Sequence, residues 1–284
     1  MTCVDDDARF RERFLSGAEL YGDELPAEAV AEWVIGEREA YSALVEEQES
    51  EYRYAYHGLN WWHGWRRLKG RQWRSVLGFG SALGEELAPI AEHVERITII
   101  EPSGRFAREE LFGKPCRYVT PRLDGRIEAP NEAFDLVTCL GVLHHIPNVS
   151  FVLSELVRVL APGGVMLLRE PIVSMGDWRR RRPGLSARER GIPPAILRRA
   201  LRVEGVNVRY WGWCICSPLA KAARLAGIRL YATRWGALVD GVFSAALAWN
   251  WRYHPERIRE KFAPSAVFVV VGKERGELAS GPAT

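Results

Sequence analysis

The sequence has no apolar run long enough to cross a bilayer, since its longest, residues 236–251, is interrupted by Asp240. It is also poor in cysteine. Its five, Cys3, Cys116, Cys139, Cys214 and Cys216, form no C-x-x-C pair and no zinc-ligand spacing, which argues against a disulfide scaffold and for a reducing, cytoplasmic compartment. Internal repeats, low-complexity tracts and recognised nucleic-acid motifs are missing, and a pI of about 8.6 is too mild for a nucleic-acid-binding domain. The acidic opening MTCVDDDARF is unlike a signal or transit peptide.

What remains is a globular composition. With 47% hydrophobic and 26% charged residues over 284 positions, the chain can bury a core and reads as one elaborated α/β domain. The net charge of +3 conceals an asymmetry: residues 1–51 hold 15 acids against 4 arginines, and residues 52–284 hold 21 acids against 35 bases, so the two parts are expected to attract each other. Val30, Trp33, Val34, Tyr41 and Leu44 recur at near-helical spacing and predict a cap helix over residues 27–49. Residues 52–73 mix four Trp with a run of Arg and Lys; a lid packed over the active site is the expectation, with direct ligand contact as the alternative. The expected division is a helical cap or lid at 1–70 and a main domain at 71–284.

From residue 75 the pattern becomes βαβ. SVLGF, RITIIE, AFDLVTCLGV and VMLLRE read as buried strands, GEELAPIAEHV and FVLSELVRVL as helices, the latter with Phe151, Val152, Leu156, Val157 and Leu160 inward and Ser154, Glu155 and Arg158 outward. Further on, a helix is expected at 193–203, a strand at 206–216, a helical insertion at about 217–262, a last strand SAVFVVVGK and a frayed tail at 276–284. This alternation predicts a Rossmann-like, seven-stranded, mostly parallel sheet with helices on both faces, and ligands at the C-terminal strand ends.

Gly78, Gly80 and Gly84 lie where the first strand turns toward its helix, so backbone amides can approach a cofactor closely. Glu101 ends the next strand, 17 residues after Gly84, placing a carboxylate beside that loop where it can accept from both hydroxyls of a ribose. From about 75 to 171 the chain resembles the class I S-adenosylmethionine-dependent methyltransferases, in the broad subgroup related to ubiquinone-biosynthesis enzymes. The segments VLGFGSALG, ITIIEPS, FDLVTCLGVLHHIPN and LVRVLAPGGVMLLREP carry the likeness in order. The family's acid-Gly-Gly-Gly loop falls on Gly78, Gly80, Ala82 and Gly84, so its acid is Gly here and its middle glycine is Ala. The resemblance implies S-adenosylmethionine as methyl donor, held by Gly78, Phe79, Gly80, Gly84, Glu101, Pro102, Leu140 and Gly141, with Asp124 near the adenine amino group.

His144 and His145 follow on the turn after the fourth strand. They either shape that turn or supply a general base, for which His145 ranks first with an oxygen acceptor. Glu170, ending VMLLRE, is the second catalytic candidate, ranking first for a carbon acceptor; its alternative is a cap or arginine partner. No motif offers His and carboxylate at metal spacing, so no metal is expected. Residues 174–202 carry nine Arg and two acids, Asp177 and Glu189. The arginines between Arg179 and Arg190 could be a solvated surface or could grip an anionic acceptor. This segment also resembles, less specifically, methyltransferases found beside glycosyltransferases, implying a sugar hydroxyl. The expected function is O-methylation of a small-molecule or glycan hydroxyl. C-methylation of a prenyl diphosphate and a non-catalytic scaffold subunit are the alternatives.

Overall fold

The structure, a computed structural model, describes residues 3–48, 54–182 and 184–275. The tail expected to fray, and Tyr52 and Arg53 of the aromatic segment, lie outside the described residues. Eight strands form one sheet: β1 (Trp73–Phe79), β2 (Val94–Ile100), β3 (Glu110–Leu111), β4 (Lys114–Val119), β5 (Phe134–Leu140), β6 (Leu160–Pro171), β7 (Val206–Cys216) and β8 (Pro264–Lys273). Their order is β3-β4-β2-β1-β5-β6-β8-β7. The expected count of seven is one short, because Phe112 and Gly113, at φ 54° and 72°, make a tight turn that folds β3 back on β4. Four pairings are parallel, and three, β3 with β4 and β8 with both neighbours, are antiparallel.

The central strands read as continuous apolar runs because both faces are covered. Met166 and Leu168 of β6, with Val267, Val269 and Val271 of β8, face one core; Val165 and Leu167, with Ala266, Phe268 and Val270, face the other. The first core is closed by α4 (Val149–Val159) and α5 (Pro194–Ala200). The second is closed by α3 (His57–His63) and α7 (Arg234–Leu247). In α4 the assignment of faces needs correction at two positions. Phe151 is exposed, whereas Glu155 is buried, accepting the Ile127 N–H at 2.9 Å and pairing with Arg158 at 2.7 Å. The expected helix after the glycine loop is a 3-10 segment, Glu85–His93, since Pro89 in its middle lacks the N–H an α-helix requires.

The cap consists of α1 (Cys3–Phe10), a π-helical turn (Arg11–Leu15) and α2 (Ala27–Gln48). Polar contacts of both senses join it to the domain: Asp7 meets Arg179 at 2.7 Å, as the charge asymmetry suggests, Arg11 contacts Glu256 in the opposite sense, and Asp23 accepts from the Ser150 N–H at 2.7 Å. Trp33, buried, anchors α2 by donating its indole N–H to the His145 carbonyl at 3.0 Å. The aromatic and basic segment goes elsewhere. Gly58 of α3 lies against the Thr233 backbone with no room for a Cβ, His63 stacks on Phe268, and the buried Arg169 of β6 donates to Asn60 at 2.8 Å while lying 4.0 Å over the Tyr56 ring. The described part of this segment closes the second core; the element that lies over the C-terminal strand ends is α2.

Candidate active site

At the C-terminal ends of β1, β2 and β5 the chain leaves a cavity of about 480 Å³, within the range of about 300–1,000 Å³ usual for small-molecule sites. Its floor is Phe79, Gly80, Ile100, Glu101, Pro102, Gly141 and Val142; α2 covers it with Val34, Glu37, Arg38 and Tyr41. Gly80 has φ +68°, and a Cβ there would sit 2.6 Å from the Val142 methyls, so only glycine lets the loop pass this close. Ala82, at φ 43°, adopts the same left-handed region despite its side chain, held by its N–H to Glu101 and its carbonyl to the Tyr118 hydroxyl.

Glu101 is buried at the cavity floor. Its carboxylate accepts from the N–H of Ala82 at 3.0 Å and of Ser103 at 3.1 Å, and the Tyr41 side chain also bonds it. Burial raises its pKa despite these donors. Of the other expected cofactor residues, Phe79, Gly80, Pro102 and Gly141 line the cavity, whereas Gly78, Gly84, Asp124 and Leu140 do not. Gly78 and Gly84 instead make room for Ser81 and Leu111. Asp124 is turned to its own loop, paired with Arg122 at 3.1 Å and accepting the Arg126 N–H, while the neighbouring Gly125, Arg126 and Ile127 reach the cavity.

The catalytic candidates meet in one network. Glu170 is fully buried and does not line the cavity. It accepts the N–H groups of Val142 and Leu143, both at 2.9 Å, and of His144 at 3.3 Å, and lies 3.0 Å from His144 Nδ1. Burial alone would raise its pKa, but His144 and these donors outweigh it and keep Glu170 ionised. His144 is buried, which lowers its pKa. His145 reaches the cavity with Nδ1 held 3.0 Å from Glu37. Burial pulls its pKa down, yet Glu37 and the charges of Glu189 and Glu170 more than compensate, so the net shift is upward.

Glu37 and Glu189 were not singled out from sequence as site residues. They lie 108 and 44 residues from His145, and only the packing of α2 and of the segment after β6 brings them there. Ligand atoms of His144, His145 and Glu189 fall within 4.8 Å of one another, a set that could hold a cation. The arginines of that segment turn away: Arg179 pairs with Asp7 and Asp177, and buried Arg190 donates to the carbonyls of Tyr21 and Pro147 at 2.8 and 3.0 Å. Gly184, Leu185, Ser186 and Glu189 line the cavity in their place.

Residues 77–166, from the glycine loop through β6, match the family described as a methyltransferase domain. The chain carries a class I S-adenosylmethionine-dependent methyltransferase domain. The ubiquinone biosynthesis O-methyltransferase of Thiobacillus denitrificans is 30% identical over 108 residues, 37% of this chain and 47% of that protein. That of Hahella chejuensis is 32% identical over 98 residues, 34% and 41%. The chain thus spans less than half the length of the curated relatives it matches. Among solved structures, the YcgJ protein of Bacillus subtilis is 14% identical with TM-score 0.49, covering 77% of this chain and 98% of that one. An S-adenosylmethionine-dependent methyltransferase of Mesorhizobium loti is 14% identical with TM-score 0.47, covering 72% and 92%.

The methyltransferase domain's cavity fits its methyl donor, S-adenosylmethionine. Glu101 retains acceptor capacity for a ribose diol, since a carboxylate offers about four lone-pair sites. The apolar lining of Phe79, Ile100, Pro102 and Ile127 would suit a flat heteroaromatic ring, and glycine at 80 and 141 lets the backbone approach without a side chain between.

Proposed function

We propose that the chain transfers a methyl group from S-adenosylmethionine to a hydroxyl of a small molecule or glycan seated between α2, residues 184–189 and the His145 wall. The observation that carries this is His145: of the three catalytic candidates it is the one that lines the cavity, and its ring is fixed from behind by Glu37. The name of the curated relatives favours oxygen as the accepting atom. Val34, Ile146 and Leu185 in the cavity lining favour an acceptor with an apolar body.

Bound S-adenosylmethionine supplies a methyl carbon on a sulfonium, already activated for displacement. The chain's residues align and deprotonate. The glycine loop and Glu101 would hold the donor, α2 would exclude water, and His145 would accept the proton of the attacking hydroxyl. Glu170 acts at one remove, holding the turn that carries His144 and His145, and Arg182 supports residues 184–189 by donating to the Ser186 and Glu189 carbonyls rather than gripping the acceptor.

Incubation of the chain with methyl-labelled S-adenosylmethionine and a host metabolite extract tests the reading. Label should appear in a small molecule as an alkali-stable ether, and His145→Ala should lower kcat about 10²–10⁴-fold with affinity for S-adenosylhomocysteine kept. Label on carbon, or full kcat in the variant, would contradict it.

A further inference from the structure

The insertion at 217–262 carries a surface that the methyltransferase reading does not use. Nine of the fifteen exposed large hydrophobic side chains of the described residues fall within it. On α7, Trp235, Val239, Val242 and Phe243 recur at i, i+4, i+7 and i+8 on one outward face, while Ala237, Asp240 and Ser244 on the opposite face are buried. Trp235 is 78% exposed. Leu225 and Ile228 stand exposed at the end of α6 (Ser217–Leu225) and just beyond it. Past α7, Leu247, Trp249, Ile258 and Phe262 line a surface groove of about 740 Å³ together with Arg252 and Arg259. A patch of this kind marks contact with another apolar phase.

Charge decides which phase. The insertion holds eight Lys and Arg against three acids, Asp240, Glu256 and Glu260. Asp240 is buried and accepts the N–H groups of Ile215 and Cys216, both at 2.8 Å; Glu256 contacts Arg11; Glu260 accepts the N–H groups of Glu256 and Arg257, both at 3.0 Å. Among the described residues none of the eight cations pairs with a carboxylate within 4.0 Å. An isologous dimer through this face would set two such cationic surfaces against each other with no acids of the insertion free to neutralise them. An anionic lipid surface supplies both partners, phosphates for the rim and an acyl boundary for the face, with Trp at the depth it favours.

We propose that the insertion seats the protein on an anionic phospholipid surface, α7 lying in the interface plane with Trp235, Val239, Val242 and Phe243 inward. It lies on the bilayer and does not cross it: no helix among the described residues is long and apolar enough to span. Lys221 and Arg224, exposed on α6, belong to the cationic rim.

Co-sedimentation of the full chain with vesicles tests this without reference to methyl transfer. Binding to vesicles of equal phosphatidylglycerol and phosphatidylcholine should be at least about tenfold tighter than to phosphatidylcholine alone and should weaken at high salt. Trp235→Ser with Phe243→Ser should cut it by at least about tenfold, two buried side chains being worth more than one decade. Lys221→Glu with Arg224→Glu should cut binding to the anionic vesicles only. Both double variants should keep the wild-type circular dichroism and melting temperature, as the four side chains are exposed. Equal binding to neutral and anionic vesicles, or no binding together with a wild-type dimer that the Trp235/Phe243 variant dissolves, would overturn the proposal.

Discussion

Glu86 sits just past the glycine loop with its carboxyl fully enclosed, and burial pushes its pKa up to about 7. In the unfolded chain it titrates near the ordinary 4.5. The fold therefore favours the protonated form: its contribution is fully present below the unfolded value and is lost as pH rises through about 7. Glu86→Gln should be more stable than wild type at pH 8, by up to about 3 kcal/mol, with the advantage gone near pH 4.5, as thermal melts at the two pH values would show. No gain at pH 8 would mean that the carboxylate has a partner or water when ionised. His145 gives the opposite test. Glu37 helps hold its pKa above the ordinary value, so Glu37→Gln should move the acid limb of the kcat profile to lower pH while lowering the plateau, the freed imidazole being a weaker base. An unmoved limb would separate Glu37 from the proton transfer.

The glycines of the loop between β1 and the 3-10 segment Glu85–His93 have a steric reason, although only Gly80 of the three expected to meet the cofactor lines the cavity. Gly80→Ala would place a Cβ 2.6 Å from Val142 at a φ that L-residues avoid. It should cost about 1–3 kcal/mol in stability and at least tenfold in S-adenosylhomocysteine affinity, read by melting and titration. The strands were legible for a related reason. Two-faced burial writes a continuous apolar run into β8, which begins one residue before the expected SAVFVVVGK, and the half-exposed edge strand β7 falls on the expected 206–216. Helix faces were less so: Glu155 is inside because Arg158 and the Ile127 N–H receive it, a partnership across 28 residues that periodicity does not contain. Nor does sequence say which side of a sheet a lid takes. The aromatic segment with its cations read as the cover of the active site, yet Arg169 and Phe268 draw it to the other face, and α2, polar and acidic, closes the cavity. Glu37 and Glu189 escaped notice for the same reason, since each reaches His144 and His145 only through long-range packing.

At the scale of the molecule, the cap and the cofactor site are one assembly. Glu37 and Tyr41 of α2 touch His145 and Glu101 directly, and all four line the same cavity. With His145 as the proton acceptor no cation is needed, and turnover should survive EDTA. Loss restored by magnesium or manganese would reassign it, with His144 and Glu189, to a metal. The central claim is that this cavity holds the methyl donor through Glu101. Calorimetric titration with S-adenosylhomocysteine tests it most directly. The wild type should bind one equivalent, and Glu101→Ala should bind about 1.5–3 kcal/mol more weakly while keeping its fold, the scale of hydrogen bonds to a charged group. No heat from the wild type, or equal affinity in the variant, would contradict it.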